Sequence, residues 1–306
     1  MRLILSLTAV AAGVALAPSA NAQYLMVPDS TADRVVLLDA FDGSVVNANF
    51  LDTGTPAAAA GVTSTPIEAL QVGNEIWVSD QNADRIWRFD SAGGFIGDVG
   101  AGQLDNIRGM EVVGNTVYVA QEGTTAFDPG IVTIDVPSLT VTGSFGNFIG
   151  DDISYWDVLL RNGELYVSNS DSGNDAIERY ALDGTFLGFF AQSDGVTDFD
   201  FIQQLANTSN GNLLGGGFSV PSGVYEFLPD GTNLGVVAGL DFGPRGVAEL
   251  GNGDTLWTNG TWIRTDDDIM LEGGSFRFIS SSTVPGPGGL AVLVLLGMGG
   301  RRRRAC

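Results

Sequence analysis

The chain has 306 residues, 36 of them acidic and 14 basic, giving a formal charge of −22 with no histidine at all. Every basic residue is arginine, and the single cysteine is Cys306, the last residue. That balance repels nucleic acid and anionic lipid, and it removes disulfides, thiols and Ser-His-Asp or Cys-His machinery from the body of the chain.

In chain order, the first element reads as an export signal. Arg2 is the positive start, Leu3 to Leu16 the apolar core, and Ala20-Asn21-Ala22 a small-residue cleavage site. The signal is expected to cover residues 1–22, so the mature chain begins at Gln23. Between Gln23 and Thr283 nine arginines face 36 acids, a formal −27. This charge suits a soluble exported domain and offers many oxygens to divalent cations. The length left is ample for one sizeable core.

From Gln23 onward the chain repeats with a period of about 40 to 50 residues. The clearest unit runs Ile67 to Val72, Gly73 to Asp80, Arg85 to Asp90 and Gly94 to Gly97. Four apolar runs separated by Gly, Asn and Asp turns read as four strands in a meander. The second run recurs at Gln23–Val27, Thr116–Ala120, Glu164–Ser168, Asn212–Gly216 and Asp254–Thr258. The third recurs at Arg34–Asp39, Gly130–Asp135, Ala176–Tyr180 and Gly223–Phe227. No long stretch has a 3.6-residue apolar period, so very little helix is expected.

Units of this kind bury their faces on their neighbours around a ring. The expected fold is all-β: a six-bladed β-propeller of four-stranded antiparallel blades over residues 23–283, flanked by the signal helix and a short C-terminal apolar helix. A seven-bladed ring and a β-sandwich are the rivals. The first unit lacks an innermost strand before Tyr24, and the last is irregular from Thr261 to Gly274, so strands from both chain ends should share one blade. The repeat resembles the NHL and strictosidine-synthase-like six-bladed propellers, whose unit reads roughly Gly-Asn-Ile-Tyr-Val-Ala-Asp, a loop, then Arg-Ile-x-x-Phe-Asp and Gly. Asn74 to Asp90 follows it closely, Gly163 to Gly184 fairly well, and Gln23 to Gly43 in part. Such motifs specify architecture, not activity.

Propellers that act as amidating or streptogramin-type lyases depend on histidine, which is missing here. What remains is carboxylate chemistry or a hard cation such as Ca²⁺. The acidic clusters are Asp151-Asp152, Asp198 with Asp200, and Asp266-Asp267-Asp268; none has EF-hand spacing, and the last reads as a solvated loop. Asp29 to Asp33 and Asp80 to Asp84 occupy equivalent places before Arg34 and Arg85, as expected for an Asx-turn with an ion pair. Alignment on the second strand puts Glu68, Arg108, Asp157, Gln203 and Arg245 at the channel mouth, where propeller ligands bind. Two arginines there could clasp a carboxylate or sugar, or could close the channel in an ion-pair ring with Glu68 and Asp157. Trp156 beside Asp157 is a possible sugar-stacking platform, while Trp77, Trp87 and Trp257 read as packing between blades. Asn207-Thr-Ser and Asn259-Gly-Thr match the glycosylation pattern, which is expected to be inert if the chain is bacterial, as the C-terminal tail implies.

The last element is a tail, residues 284–306: a Pro/Gly motif, an apolar stretch from Gly288 to Gly300, and Arg301, Arg302, Arg303 and Arg304. As a helix that stretch rises roughly 20 Å, short of a bilayer's roughly 30 Å core, and the arginines would stay cytoplasmic. The layout resembles the PEP-CTERM sorting tails, which imply recognition by an exosortase and transfer to the cell surface. Val284, Pro285 and Pro287 match the motif, but Gly286 replaces its glutamate. An ordinary tail anchor is the alternative.

The sequence thus reads as an exported, surface-sorted propeller that binds extracellular polysaccharide or a partner protein without catalysis. It touches the membrane only through its tail and needs no cofactor, though its oxygens could hold a hard cation such as Ca²⁺. The competing reading is a Ca²⁺-dependent lactonase or esterase of the strictosidine-synthase-like kind, using Glu68 and Asp157. Those enzymes hold their metal with a Glu, Asn and Asp set, and no Asn stands at the matching positions.

Overall fold

The computed structural model describes residues 23–123, 126, 128–147, 153–170, 175–194 and 198–283. The expected signal segment, the tail from Val284 onward and the Asp151-Asp152 pair lie outside the described residues.

Among the described residues, twenty-four strands follow one another with a single helix of six residues. The first blade holds β1 (Tyr24–Asp29), β2 (Arg34–Asp39) and β3 (Val45–Asp52), followed by α1 (Gly54–Ala59). The second holds β4 (Pro66–Val72), β5 (Glu75–Asp80), β6 (Arg85–Asp90) and β7 (Phe95–Val99). The third holds β8 (Ile107–Val113), β9 (Thr116–Gln121), β10 (Gly130–Asp135) and β11 (Thr140–Phe145). The fourth holds β12 (Tyr155–Arg161), β13 (Glu164–Asn169), β14 (Ala176–Tyr180) and β15 (Phe186–Gln192). The fifth holds β16 (Ile202–Asn207), β17 (Leu213–Gly217), β18 (Gly223–Phe227) and β19 (Asn233–Ala238). The sixth holds β20 (Gly246–Glu249), β21 (Thr255–Thr258), β22 (Trp262–Arg264) and β23 (Ile269–Glu272), and β24 (Ser280–Ser282) ends the ring.

Each sheet has four strands, and in the first the order is β24-β1-β2-β3. The C-terminal strand therefore supplies the missing innermost strand, with Tyr24 paired to Ser282 and Met26 to Ser280. Closure by both chain ends is as expected. The region from Thr261 to Gly274 differs from expectation, because it contains β22 and β23 of a complete sixth blade. They are only three and four residues long, and the turn between them is capped by the Thr265 hydroxyl, which accepts the Asp268 N–H at 3.1 Å. Strands that short leave too few apolar residues to show an alternation.

The middle strands are apolar throughout because both their faces are covered. On β5, Ile76 and Val78 enter the cluster shared with the first blade, while Trp77 between them enters the cluster shared with the third. Successive side chains on a strand point to opposite faces, so one run serves two seams. Six apolar clusters fill the six seams, and a seventh, Ile67, Trp156 and Phe278 with Phe201 against it, sits on the axis. Trp87 and Trp257 lie in seams, at 1% and 0% exposure.

Candidate functional site

Four inner strands carry a register irregularity near their start, at Pro66/Glu68, Ile107/Met110, Tyr155/Asp157 and Ile202/Leu205. An extra residue there turns the following side chains across the seam. A hydroxyl on the second strand braces the bend. Ser79 accepts the Glu68 N–H at 3.1 Å and Ser168 the Asp157 N–H at 2.9 Å, and on the regular β20 Thr258 accepts the Gly246 N–H at 2.9 Å. Ser168 and Thr258 then donate to the carbonyls of Gln203 and Arg277 in the adjoining segment.

The redirected side chains stitch blade to blade around the channel. Glu68 accepts the Met110 N–H, Glu111 that of Leu160 at 2.8 Å, and Asp157 that of Leu205 at 2.8 Å. Gln204 accepts from Val247 at 2.9 Å and from Ile279 at 2.8 Å, and its amide donates to the Ile279 carbonyl at 2.8 Å. Ser280 donates to Glu68 and completes the circle. Gln204 reaches past the sixth blade because Gly246 has no side chain; a Cβ there would fall 2.4 Å from the Arg277 carbonyl and 3.1 Å from the Gln204 oxygen. Gly109 is small for the same reason, with a Cβ 2.2 Å from Asp157 Oδ1.

A ring thus closes the channel, but backbone N–H groups rather than arginines satisfy its acids. Burial pushes Glu68 up to about 8, and it raises Asp157 well above the carboxylate range, with Glu68's charge the next cause. Burial raises Glu111 as well. Beyond the ring, toward the ends of the inner strands, lies a cavity of about 510 Å³ whose lining includes Glu68, Glu111, Asp157, Gln204 and Glu249. Among the described residues no three His, Cys, Asp or Glu groups are gathered as metal ligands.

The starts of the inner strands form a different surface. Arg108 is buried, bonded to the Ser154 hydroxyl at 3.1 Å and the Tyr155 carbonyl at 3.0 Å, and ion-paired with Glu122 instead of Glu68 or Asp157. Desolvation lowers it to about 10, with Glu122 acting the other way. Its guanidinium lies 3.7 Å from the centre of the Trp156 ring. Trp156 also packs against Phe201, with ring centres 5.2 Å apart, and is only 9% exposed, so it serves as part of the axial plug. Gln203 is buried, and its carbonyl accepts the Ser168 hydroxyl. Arg245 sits over Phe218 at 4.3 Å and is half-buried.

Of the acidic clusters, Asp266 accepts the Gly239 N–H at 2.8 Å and the Trp257 indole at 3.1 Å, while Asp267 and Asp268 are exposed. Asp198 accepts from the Asn233 amide. Asp29 makes the expected turn, accepting from Thr31 at 3.1 Å and pairing with Arg34 at 3.1 Å. Asp80 differs. It accepts from Ala83 at 3.1 Å and the Trp87 indole at 2.8 Å, while Arg85 pairs outward with Asp98.

Sequence reasoning missed Gln204, Glu111, Phe218 and Arg277. Arg277 could have been found by carrying ring closure one step further, since residues just before an inner strand stand at the mouth.

No family model matches the chain, and no curated protein matches it in sequence. Solved structures match its shape. A chain of the nidogen/laminin complex aligns with a TM-score of 0.66 at 15% identity, over 85% of this chain and 98% of that one. A streptogramin B lyase aligns at 0.54 and 13%, over 87% and 90%. An inactive virginiamycin B lyase from Staphylococcus aureus, with one histidine replaced by alanine and quinupristin present, aligns at 0.50 and 11%, over 72% and 71%. At such identities the shared feature is the propeller fold.

Proposed function

We propose that this chain is an exported, surface-sorted binding module that engages extracellular polysaccharide or a partner protein without chemical turnover. One observation carries the reading: Glu68, Glu111 and Asp157, the channel carboxylates, are each spent on backbone N–H groups that hold adjacent blades together. A general base or a cation ligand must turn lone pairs to its substrate, and in these cavity-lining carboxyls the bonds to the neighbouring blades compete for them. The neighbours fit this reading. One belongs to a protein–protein complex, and the lyase is inactivated by loss of a histidine, a residue this chain lacks. In the tail, Val284, Pro285, Pro287 and Arg301 to Arg304 would direct exosortase-type sorting to the surface, after export by residues 1–22. The binding face on this reading is the mouth face of the fifth and sixth blades, where Phe218, Val220, Leu240 and Phe242 are exposed beside Arg245.

A glycan array, a pull-down from matrix extracts and a lactone-hydrolysis assay with added Ca²⁺ test it together. Saturable binding with no hydrolysis is expected. Calcium-dependent hydrolysis lost in Glu68→Gln and Asp157→Asn would instead establish the lactonase reading.

A further inference from the structure

With nine arginines among 36 acids, an arginine lacking an acid is the exception that needs a cause. Arg34, Arg85, Arg88, Arg108 and Arg179 are ion-paired. Arg161 and Arg264 donate to backbone carbonyls. Arg277 keeps one side-chain bond, from Nε to the Ser30 hydroxyl at 3.0 Å. Arg245 keeps none among the described residues, and its Nε is sealed from water with no acceptor. Desolvation lowers both guanidinium groups, Arg277 to about 10; the charge of Arg245 lowers Arg277 further, and Asp29, already paired with Arg34, acts the other way. Two like charges held together and partly dried are unfavourable until an anion joins them.

The backbone fixes both residues in place. The Arg245 N–H donates to the Thr258 carbonyl at 2.7 Å, and the Arg277 N–H to that of Pro28 at 2.9 Å. Beside them the β17–β18 and β19–β20 loops are tied together. Asp241 donates to the Ser222 carbonyl at 3.1 Å and Gly243 to its hydroxyl at 3.2 Å. These loops hold up an apolar rim: Phe218 is 37% exposed, Phe242 46% and Leu240 59%.

We propose that Arg245 and Arg277 bind the carboxylate of an acidic polysaccharide, a uronate residue, with Phe218 and Phe242 covering the apolar face of the sugar ring. A guanidinium fork matches a carboxylate in two parallel hydrogen bonds, and exposed aromatic rings accept the C–H face of a sugar. A small inorganic anion would satisfy the charges and leave the rim bare. The proposal rests on the binding-module reading and names its ligand class.

The test is calorimetric titration of the full-length protein with trigalacturonate, with maltotriose as the neutral control and a short polyglutamate as the acidic peptide. Trigalacturonate alone should bind, more weakly at high salt. Arg245→Ala and Arg277→Ala should each weaken it roughly 10- to 100-fold, the range for charged hydrogen bonds. Arg161→Ala, on the far face, should leave it unchanged, and Arg245→Gln with unaltered melting keeps the result interpretable if an alanine variant unfolds. Equal binding of maltotriose, or trigalacturonate binding that survives both arginine changes, overturns the uronate site while leaving a binding module. Polyglutamate bound through the arginines in place of the sugar also overturns it, in favour of a protein ligand. No trigalacturonate binding at millimolar concentration overturns the site, and lactone hydrolysis with no ligand bound overturns both readings.

Discussion

The two ends of the central channel are built from opposite chemistry. At the starts of the inner strands, an aromatic and aliphatic plug of Ile67, Trp156, Phe201 and Phe278 fills the axis, with arginines around it. At their ends, acids and amides line an open cavity. Acid in a channel invites a catalytic reading, yet each ring acid here is tied to the next blade's backbone. The arginines, which look like structural counter-ions in so acidic a chain, include Arg245, which has no side-chain hydrogen bond or ion pair among the described residues. Residue type alone would make the acids reactive and the arginines counter-ions, whereas the hydrogen bonds tie the acids to neighbouring blades and give Arg245 no side-chain partner among the described residues.

The largest effect is expected in the plug. Phe278 is 1% exposed, so Phe278→Ala should cost about 3–5 kcal/mol, the range for emptying an aromatic site in a core, read as a lower urea midpoint. Next is the stitch. Gln204→Ala leaves the Val247 and Ile279 N–H groups without their acceptor, and should cost at least about 2 kcal/mol at roughly 1–3 per buried orphan.

A third effect concerns pH. With Glu68 raised from its usual 4.5 to about 8, the folded carboxyl keeps its proton over a range in which the unfolded one has lost it. Stability from this group is therefore full below about pH 4.5 and is lost as pH rises through about 8, and the raised Asp157 acts in the same direction. Urea unfolding across that window should show stability falling with pH, and Glu68→Gln should flatten the slope. The glutamine oxygen can still accept the Met110 N–H while its amide donates to the Ser280 hydroxyl. A slope unchanged in this variant would place the titration elsewhere. The smallest effect is at the mouth. Arg245→Ala should change stability by less than about 1 kcal/mol, because it removes a cation with no ion pair and relieves the repulsion of Arg277.

Much of the fold was legible. The recurring second strand, as in Glu75 to Asp80, carries an apolar run and a polar end because it lies between two seams and caps the loop that follows. Those constraints recur in every blade, so they repeat in sequence. Closure was legible too, since a first unit without an inner strand must borrow one. The site was less so. Glu68, Asp157 and Arg108 stand on the inner strands to which alignment on the second strand assigns them, but side-chain direction depends on the irregularities at the strand starts, which leave no composition signal. Arg108 turns to Glu122, a residue on no aligned position. Arg277 precedes a three-residue strand of serines, too short to announce itself.

Thermal unfolding of the full-length protein, Gln204→Ala and Arg245→Ala, each with and without trigalacturonate, separates the two ends of the channel directly. If the acids hold the ring and the arginines hold the ligand, Gln204→Ala melts earlier and keeps the full ligand-induced rise, while Arg245→Ala melts almost as the parent does and loses that rise. A rise lost in Gln204→Ala and kept in Arg245→Ala would contradict that division of roles.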